Sequence, residues 1–353
     1  MNVSELLADM VKMGIADVFV ITGRPISYKQ GNVVKPFNDE ILTPQDTQEF
    51  IEQIFMLANN RPIDRFLELG DDDFSFAIKG VSRFRVNTYK QRGSLAAVIR
   101  VVSFELPNPD DLSVPPSVLE LASLRRGLVL ITGPAGSGKT TTLAMIIDRI
   151  NKTRSAHIIT LENPIEFLHR HDKSLVSQRE INIDTTSYAV ALKATLRQSP
   201  NVILIGEMRD SETISIAMTA AETGHLVLST LHTLGATNTV DRLVDSFAPS
   251  QQGQVRMQLS MVLEAVVSMQ LVPLLNGGVA PAFEIMHCTS AIKNLIREGR
   301  THQISAVINT SADEGMVGMD NSLLELYRKG LISRENALAH AFLPESLGKL
   351  ISL

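Results

Sequence analysis

The 353-residue sequence has no tryptophan, four tyrosines and one cysteine, and no apolar run reaches the length of a membrane span. One cysteine, Cys288, excludes an intrachain disulfide and a Cys₄ zinc site; it suits a reducing compartment and reads as a small buried hydrophobe. Basic excess is missing too. Lys and Arg (33) are outnumbered by Asp and Glu (38), for a net charge of −5, so no overall field draws in nucleic acid or anionic lipid. With aromatics also scarce, the basic, aromatic-bearing groove of a nucleic-acid translocase is not expected. The first residues show neither the basic region nor the apolar core of a signal peptide. The expected location is therefore cytoplasmic, without direct membrane insertion. Internal repeats and low-complexity tracts are absent as well.

What remains is ordinary globular composition, 44% apolar and 20% charged, at a length that suits two domains with separate cores. Gly133-Pro134-Ala135-Gly136-Ser137-Gly138-Lys139-Thr140 fits G-x-x-x-x-G-K-[ST]. Glycines at that spacing let consecutive backbone N–H groups turn toward an anion; Lys139 can reach the β and γ phosphates of ATP, and Thr140 can ligand Mg²⁺. Its flanks agree with this. Leu128 to Ile131 reads as a buried strand and Thr141 to Ile150 as a helix, so the order is strand, loop, helix with the helix N-terminus aimed at phosphate.

Before that motif, residues 3 to 13 have helical spacing, Ala16 to Thr22 reads as a strand, and Ser27 to Gln30 with Val33 to Phe37 flank a Gly31-Asn32 turn. Thr43-Pro44 predicts an N-cap and first helical residue ahead of an apolar face of Phe50, Ile51, Ile54, Phe55 and Ala58. Strands are predicted at Phe66 to Leu69, Phe74 to Ile78, Phe84 to Tyr89 and Leu95 to Val102. Residues 1–104 are thus expected to form a small α+β domain with a mostly antiparallel sheet. Residues 105–117, with Pro107, Pro109, Pro115 and Pro116, predict an extended linker. From 118 to 353, apolar strands at Leu128 to Ile131, His157 to Leu161, Val202 to Ile205 and Leu226 to Leu231 alternate with helices. That pattern predicts a parallel sheet covered on both faces, the core of a P-loop NTPase. Gln251 to Leu271 and Thr289 to Glu298 are read as helices, and the C-terminal stretch as a helical surface bundle.

Hydrolysis needs carboxylates as well as a phosphate cradle. Glu162 directly follows one predicted strand and Glu207 another, and ligands in open α/β sheets sit at such carboxyl ends. Glu162 is the candidate for orienting water. Glu207 occupies a Walker-B-like place, with Gly206 where an aspartate is expected, and joins Thr140 as a candidate Mg²⁺ ligand, partly through water. His225 and His232 bracket the strand Leu226 to Leu231. Without Cys or further His nearby they lack metal-ligand spacing, which leaves sensing of the γ-phosphate or a structural role.

The P-loop, Ile158-Ile159-Thr160-Leu161-Glu162-Asn163-Pro164-Ile165-Glu166, Ile205-Gly206-Glu207-Met208-Arg209-Asp210 and Thr223-Gly224-His225 through Leu231-His232-Thr233 together resemble the secretion ATPases of type II and type IV pilus systems. They look like that superfamily's Walker A, Asp box, Walker B and His box. Ala291 to Glu298 resembles the signature of its pilus retraction ATPases, A-I-R-N-L-I-R-E. Asn163, Lys193, Ser199, Asn201 and Lys293 depart from the usual residues. The resemblance implies a RecA-like P-loop NTPase core with a smaller N-terminal PAS-like α+β domain, assembled as a homohexamer. It implies nucleotide held by Gly133, Pro134, Ala135, Gly136, Ser137, Gly138, Lys139, Thr140 and Thr141, with Arg85 and Arg100 as arginine fingers. As partners it implies an inner-membrane pilus platform protein and, indirectly, the pilus base and pilin. The expected activity is ATP hydrolysis coupled to pilus retraction, peripheral at the inner face of the cytoplasmic membrane.

Overall fold

A computed structural model describes residues 2–30, 33–102, 106–110 and 112–352. The chain divides into two compact units, residues 1–105 with 164–168, and residues 106–163 with 169–353.

In the first unit, α1 (Val3–Lys12) starts where the Asn2 side chain accepts from the amides of Ser4 and Glu5, and it buries Val3, Leu7 and Met10. Three short strands follow, β1 (Asp17–Val20), β2 (Ser27–Gln30) and β3 (Val33–Pro36). The β2–β3 pairing is present; the turn residues Gly31 and Asn32 lie outside the described residues. Helix α2 (Pro44–Leu57) opens on the expected cap. Thr43 Oγ1 accepts from the Asp46 amide at 3.2 Å while Asp46 Oδ2 accepts from the Thr43 amide at 2.7 Å, a reciprocal capping box.

Phe66 to Leu69, expected as a strand, is instead the end of helix α3 (Asp64–Leu69). Only Phe66 is buried there, Leu67 and Leu69 are exposed, and Gly70 ends the helix in the left-handed region at φ 91°. A four-residue apolar run has no period of its own, and the glycine after it is a helix stop. Strands β4 (Asp71–Ile78), β5 (Ser82–Gln91) and β6 (Ser94–Val102) complete a sheet of order β3-β2-β1-β6-β5-β4, antiparallel throughout. Arg92 and Gly93, both at positive φ, make the two-residue β5–β6 turn. Phe50, Ile54, Phe55, Phe66, Phe74, Phe84 and Ile99 share one core.

The second unit begins with α4 (Pro116–Glu120), β7 (Gly127–Thr132), α5 (Lys139–Thr153), β8 (His157–Glu162) and β9 (Leu175–Glu180). It continues with α6 (Tyr188–Thr195), β10 (Val202–Ile205), α7 (Ser211–Glu222), β11 (Leu226–Leu231), α8 (Ala236–Asp245) and α9 (Pro249–Val262). Its sheet has the order β13-β12-β7-β11-β10-β8-β9, with β12 (Leu263–Pro273) and β13 (Val279–His287). All neighbours are parallel except the β12–β13 pair. Both faces are covered: Leu128 and Leu130 enter one core, Val129 and Ile131 the other.

The expected helix from Gln251 to Leu271 stops at Val262, and Leu263 turns extended (φ −70°, ψ 125°) to start β12. No glycine or proline marks that junction. Almost every residue of β12 is buried, so the period that separates strand from helix is hidden. Helix α10 (Ser290–Glu298) matches expectation, capped by Thr289 and burying Ile292, Leu295 and Ile296. Helices α11 (Ile304–Thr310), α12 (Met319–Arg328), α13 (Arg334–His340) and α14 (Pro344–Ile351) follow. Met319, Leu323, Ile332, Ala337 and Leu347 cluster with Val272 and Ala282 of the β12–β13 hairpin, so this C-terminal stretch has a core and is more than a surface layer. Among the described residues, no helix is long and apolar enough to cross a membrane.

Candidate nucleotide site

β7 ends at Thr132 and the loop it feeds is sterically committed to glycine. Gly133 has φ 142°, and a Cβ there would lie 2.2 Å from the Met269 carbonyl oxygen and 2.8 Å from Ser137 Oγ. Gly136 and Gly138 also have positive φ. Gly138 precedes α5 without any side-chain cap, so the first-turn N–H groups are left to face the loop's concave side. Lys139 is only 7% exposed, and its Nζ donates to the carbonyls of Gly133 (2.9 Å) and Pro134 (2.8 Å). Ser137 Oγ is buried without a hydrogen-bond partner, while Pro134, Ala135 and Gly136 are exposed. Thr140 and Thr141 are half-buried in the first turn of α5. A backbone cradle, an orphaned hydroxyl and an ammonium fit a polyphosphate.

Parallel register brings the other candidates to the same edge. Leu231 pairs with Thr132, Ile205 with Ser229, and Leu161 with Ile205, so the residues after β7, β11, β10 and β8 emerge side by side. Glu162, 8% exposed, accepts from Thr160 Oγ1 at 2.6 Å and from Gln178 Nε2 at 3.1 Å. Thr160 lies two residues back on the same strand face, and Gln178 is its register partner on β9. Two donors thus hold one carboxylate.

Glu207 is fixed through its neighbours. Gly206 N donates to Leu161 O at 2.7 Å, Thr230 Oγ1 donates to Gly206 O at 2.5 Å, and Met208 N donates to Thr230 O at 3.3 Å. Its carboxylate meets Arg209 Nε at 2.7 Å and His232 Nε2 at 3.5 Å. Asp210, next along, caps α7 by accepting from Thr213 N and Oγ1. Among the described residues, no group of three or more His, Cys, Asp or Glu could hold a metal ion. One hydroxyl and one nearby carboxylate suit a Mg²⁺ that keeps its waters and leans on phosphate oxygens.

His225 does not join this edge. It precedes β11, and its Nδ1 bonds Ala220 O at 2.9 Å and Thr223 Oγ1 at 3.3 Å, while its carbonyl accepts from Gly127 N at the start of β7. The six residues of β11 lie between it and His232, seven steps that span ~23 Å at ~3.3 Å per extended residue. Of the two roles open for His225, phosphate sensing and a structural one, its contacts at the opposite end of the sheet support the structural one.

Arg85 and Arg100 belong to the first unit, where they are register partners on β5 and β6. Arg85 forks onto Asp73 (2.7 and 3.2 Å) and Arg100 onto Asp17 (2.7 and 3.4 Å). Each is thus presented on a strand by a neighbouring carboxylate. Of the unusual residues, Asn163 is exposed, Asn201 Oδ1 accepts from His157 N, and Lys193 pairs with Glu212 between α6 and α7. Lys293 approaches Glu264 at 3.5 Å. Cys288 is buried, and that burial pushes its thiol titration up, away from nucleophilic use.

Sequence reasoning missed Thr160, Gln178 and Tyr188. Thr160 and Gln178 needed the β8–β9 pairing, and β9 is a polar edge strand that gives no apolar signal. Tyr188, the first residue of α6, lies close enough to both carboxylates that burial, then Glu207, then Glu162 raise its titration above the ordinary phenol range.

The type II/IV secretion system protein family matches residues 2–339. The type IV pilus retractation ATPase PilT of Pseudomonas aeruginosa is 43% identical over 98% of this chain and 100% of its own. The type IV pilus ATPase PilU of the same organism is 39% identical over 100% of this chain and 92% of its own. A crystal structure of the pilus retraction motor PilT with bound ADP superimposes with a TM-score of 0.90, at 42% identity, covering 99% of both chains.

Proposed function

We propose, for a chain that belongs to the type II/IV secretion system protein family, the work of a pilus retraction ATPase: it hydrolyses ATP and turns the energy into removal of pilin from the pilus base. One observation carries the site-level reading. The glycine cradle, Lys139, Glu162, Glu207 and His232 emerge from four adjacent strands at one edge. The nucleotide phosphates rest on the N-terminus of α5, with Lys139 moving from the loop carbonyls to the β and γ oxygens. Thr140 and Glu207 would hold a Mg²⁺ ion, which would supply charge neutralisation at the phosphates. Glu162, aimed by Thr160 and Gln178, orients the attacking water and accepts its proton. His232, beside Glu207, reads whether the γ-phosphate is present.

Arg85 and Arg100 act on the nucleotide of a neighbouring subunit. In a homohexamer each first unit supplies its guanidinium groups to the next subunit's phosphates, where they offset charge that develops during transfer. ATP and ADP then favour different arrangements of the ring, and that difference in affinity is what moves it. The motion passes to an inner-membrane platform protein, with the motor peripheral at the cytoplasmic face. Helix α10, whose Asn294, Arg297 and Glu298 are exposed, couples turnover to that partner. The test is retraction in cells. Lys139→Ala, expressed at the native level, leaves surface pili in excess and abolishes twitching; normal twitching would refute the assignment.

A further inference from the structure

After β11 the chain turns back across the edge of its own sheet. Thr132 on β7 pairs in register with Leu231 on one side and with Ser268 of β12 on the other, and Ser268 pairs with Glu284 of β13. Register partners share a face, so Thr132, Ser268 and Glu284 form one row, and all three are buried. The crossing uses each of them. Gly235 N donates to Ser268 Oγ at 2.8 Å and Ala236 N donates to Glu284 Oε1 at 2.7 Å, while Thr239 Oγ1 lies 2.7 Å from Thr233 Oγ1 and 3.5 Å from Thr132 Oγ1. Helix α8 opens without a side-chain cap of its own, so Glu284 both satisfies its first amide and sets a negative charge at its positive end.

A further contact comes from the C-terminal helices. Gly235 has φ 89°, and a Cβ there would lie 3.2 Å from Phe342 Cε2, so the Phe342 ring covers the loop at that point. Phe342 stands between α13 and α14, and Asp320 of α12 accepts from its amide at 2.7 Å and from the Leu343 amide at 2.9 Å. His232, at the head of this loop, has a side chain 55% exposed, and it meets Glu207 at 3.5 Å. Packing does not hold such a side chain. Its aim follows the backbone on either side, which is β11 before it and the pinned loop after it.

We propose that Ser268 and Glu284 are positioning residues for His232: as acceptors for two successive amides, braced by Phe342 over Gly235, they hold the loop across the sheet edge and keep the imidazole beside Glu207. The proposal rests on the role given to His232 above. Ser268 and Glu284 act only through the loop.

Ser268→Ala deletes one acceptor and leaves the Gly235 amide unpaired. In the purified full chain, kcat for ATP falls about five-fold, equivalent to ~1 kcal/mol, the scale of one hydrogen bond. Affinity for ADP, measured by titration calorimetry, stays at the wild-type level, because ADP lacks the phosphate that His232 reads. Phe342→Ala gives a loss of the same kind from a position at the surface, and it decides by the same measurements if Ser268→Ala protein does not fold. Adding either change to His232→Ala protein costs nothing further, since both act through that imidazole. Wild-type kcat in either variant overturns the proposal, as does a loss that extends to ADP binding or a full further loss in the His232→Ala background. Turnover lost in His232→Ala but kept in either variant sinks this proposal alone. Full turnover in His232→Ala removes the role of His232 itself, and this proposal with it.

Discussion

Replacing Thr160 by Val keeps the shape of a fully buried side chain and deletes one hydroxyl, the donor 2.6 Å from Glu162 Oε1. A bond that short, from O–H to a carboxylate, belongs to the charge-assisted class, and such bonds contribute ~1.5–3 kcal/mol. Gln178 still donates at 3.1 Å, so Glu162 loses its shortest described donor and keeps a longer one. The loss then divides between two observables. Part appears as stability: ~1–2 kcal/mol, or about 3–6 °C in melting temperature for a unit of this size. The rest appears in turnover, since a carboxylate free to rotate spends less time aimed at water; kcat falls about ten-fold. KM for ATP stays constant, because the phosphates are gripped by the loop and Lys139. Steady-state ATPase kinetics and thermal unfolding on the same preparation separate the two. A lowered melting temperature with unchanged kcat would refute the reasoning and make Thr160 a purely structural donor.

Three further outcomes follow from particular contacts. His232→Ala lowers ATP turnover whereas His225→Ala leaves it at the wild-type rate, since only His232 meets Glu207; equal losses in the two ATPase assays would contradict the placement. Glu284 is buried, accepts from Ala236 N at 2.7 Å, and has its titration raised by burial, so the folded state binds its proton more tightly than the unfolded state and stability is lost as pH rises above the unfolded value. Glu284→Gln removes that penalty: its melting temperature relative to wild type climbs as pH rises above the ordinary carboxyl value of about 4.3, and a constant difference would show that Glu284 does not titrate in this way. Finally, mixing Lys139→Ala with Arg85→Ala protein under verified subunit exchange restores some ATPase activity if Arg85 completes a neighbour's site. No recovery at any ratio, without steep poisoning of wild type by either mutant, would place Arg85 in its own subunit's chemistry or in none.

The legible parts of the sequence were those where local chemistry and tertiary role coincide. The P-loop needed its glycines for backbone reasons, as Gly133 against Met269 O shows, and Thr43-Pro44 announced α2 by the same rules that make it stable. Parallel strands buried on both faces stood out as short apolar runs. The same feature concealed β12, because an uninterrupted apolar stretch after a helix has no period to mark the change. Phe66 to Leu69 failed for being short. His225 and His232 bracket one extended strand, as the sequence indicates, and so stand at opposite ends of the sheet. Glu162 and Glu207 were found from strand ends alone, but what aims Glu162 was invisible: Thr160 and Gln178 meet only through β8–β9 register.

The central claim is that this edge binds ATP with one set of groups and cleaves it with another. Glu162→Gln tests it in a single protein: nucleotide binding measured by titration stays at the wild-type level, while turnover falls by about a hundred-fold or more, the scale expected when a positioned general base is lost. Turnover near wild type in folded Glu162→Gln protein that still binds ATP would contradict the account.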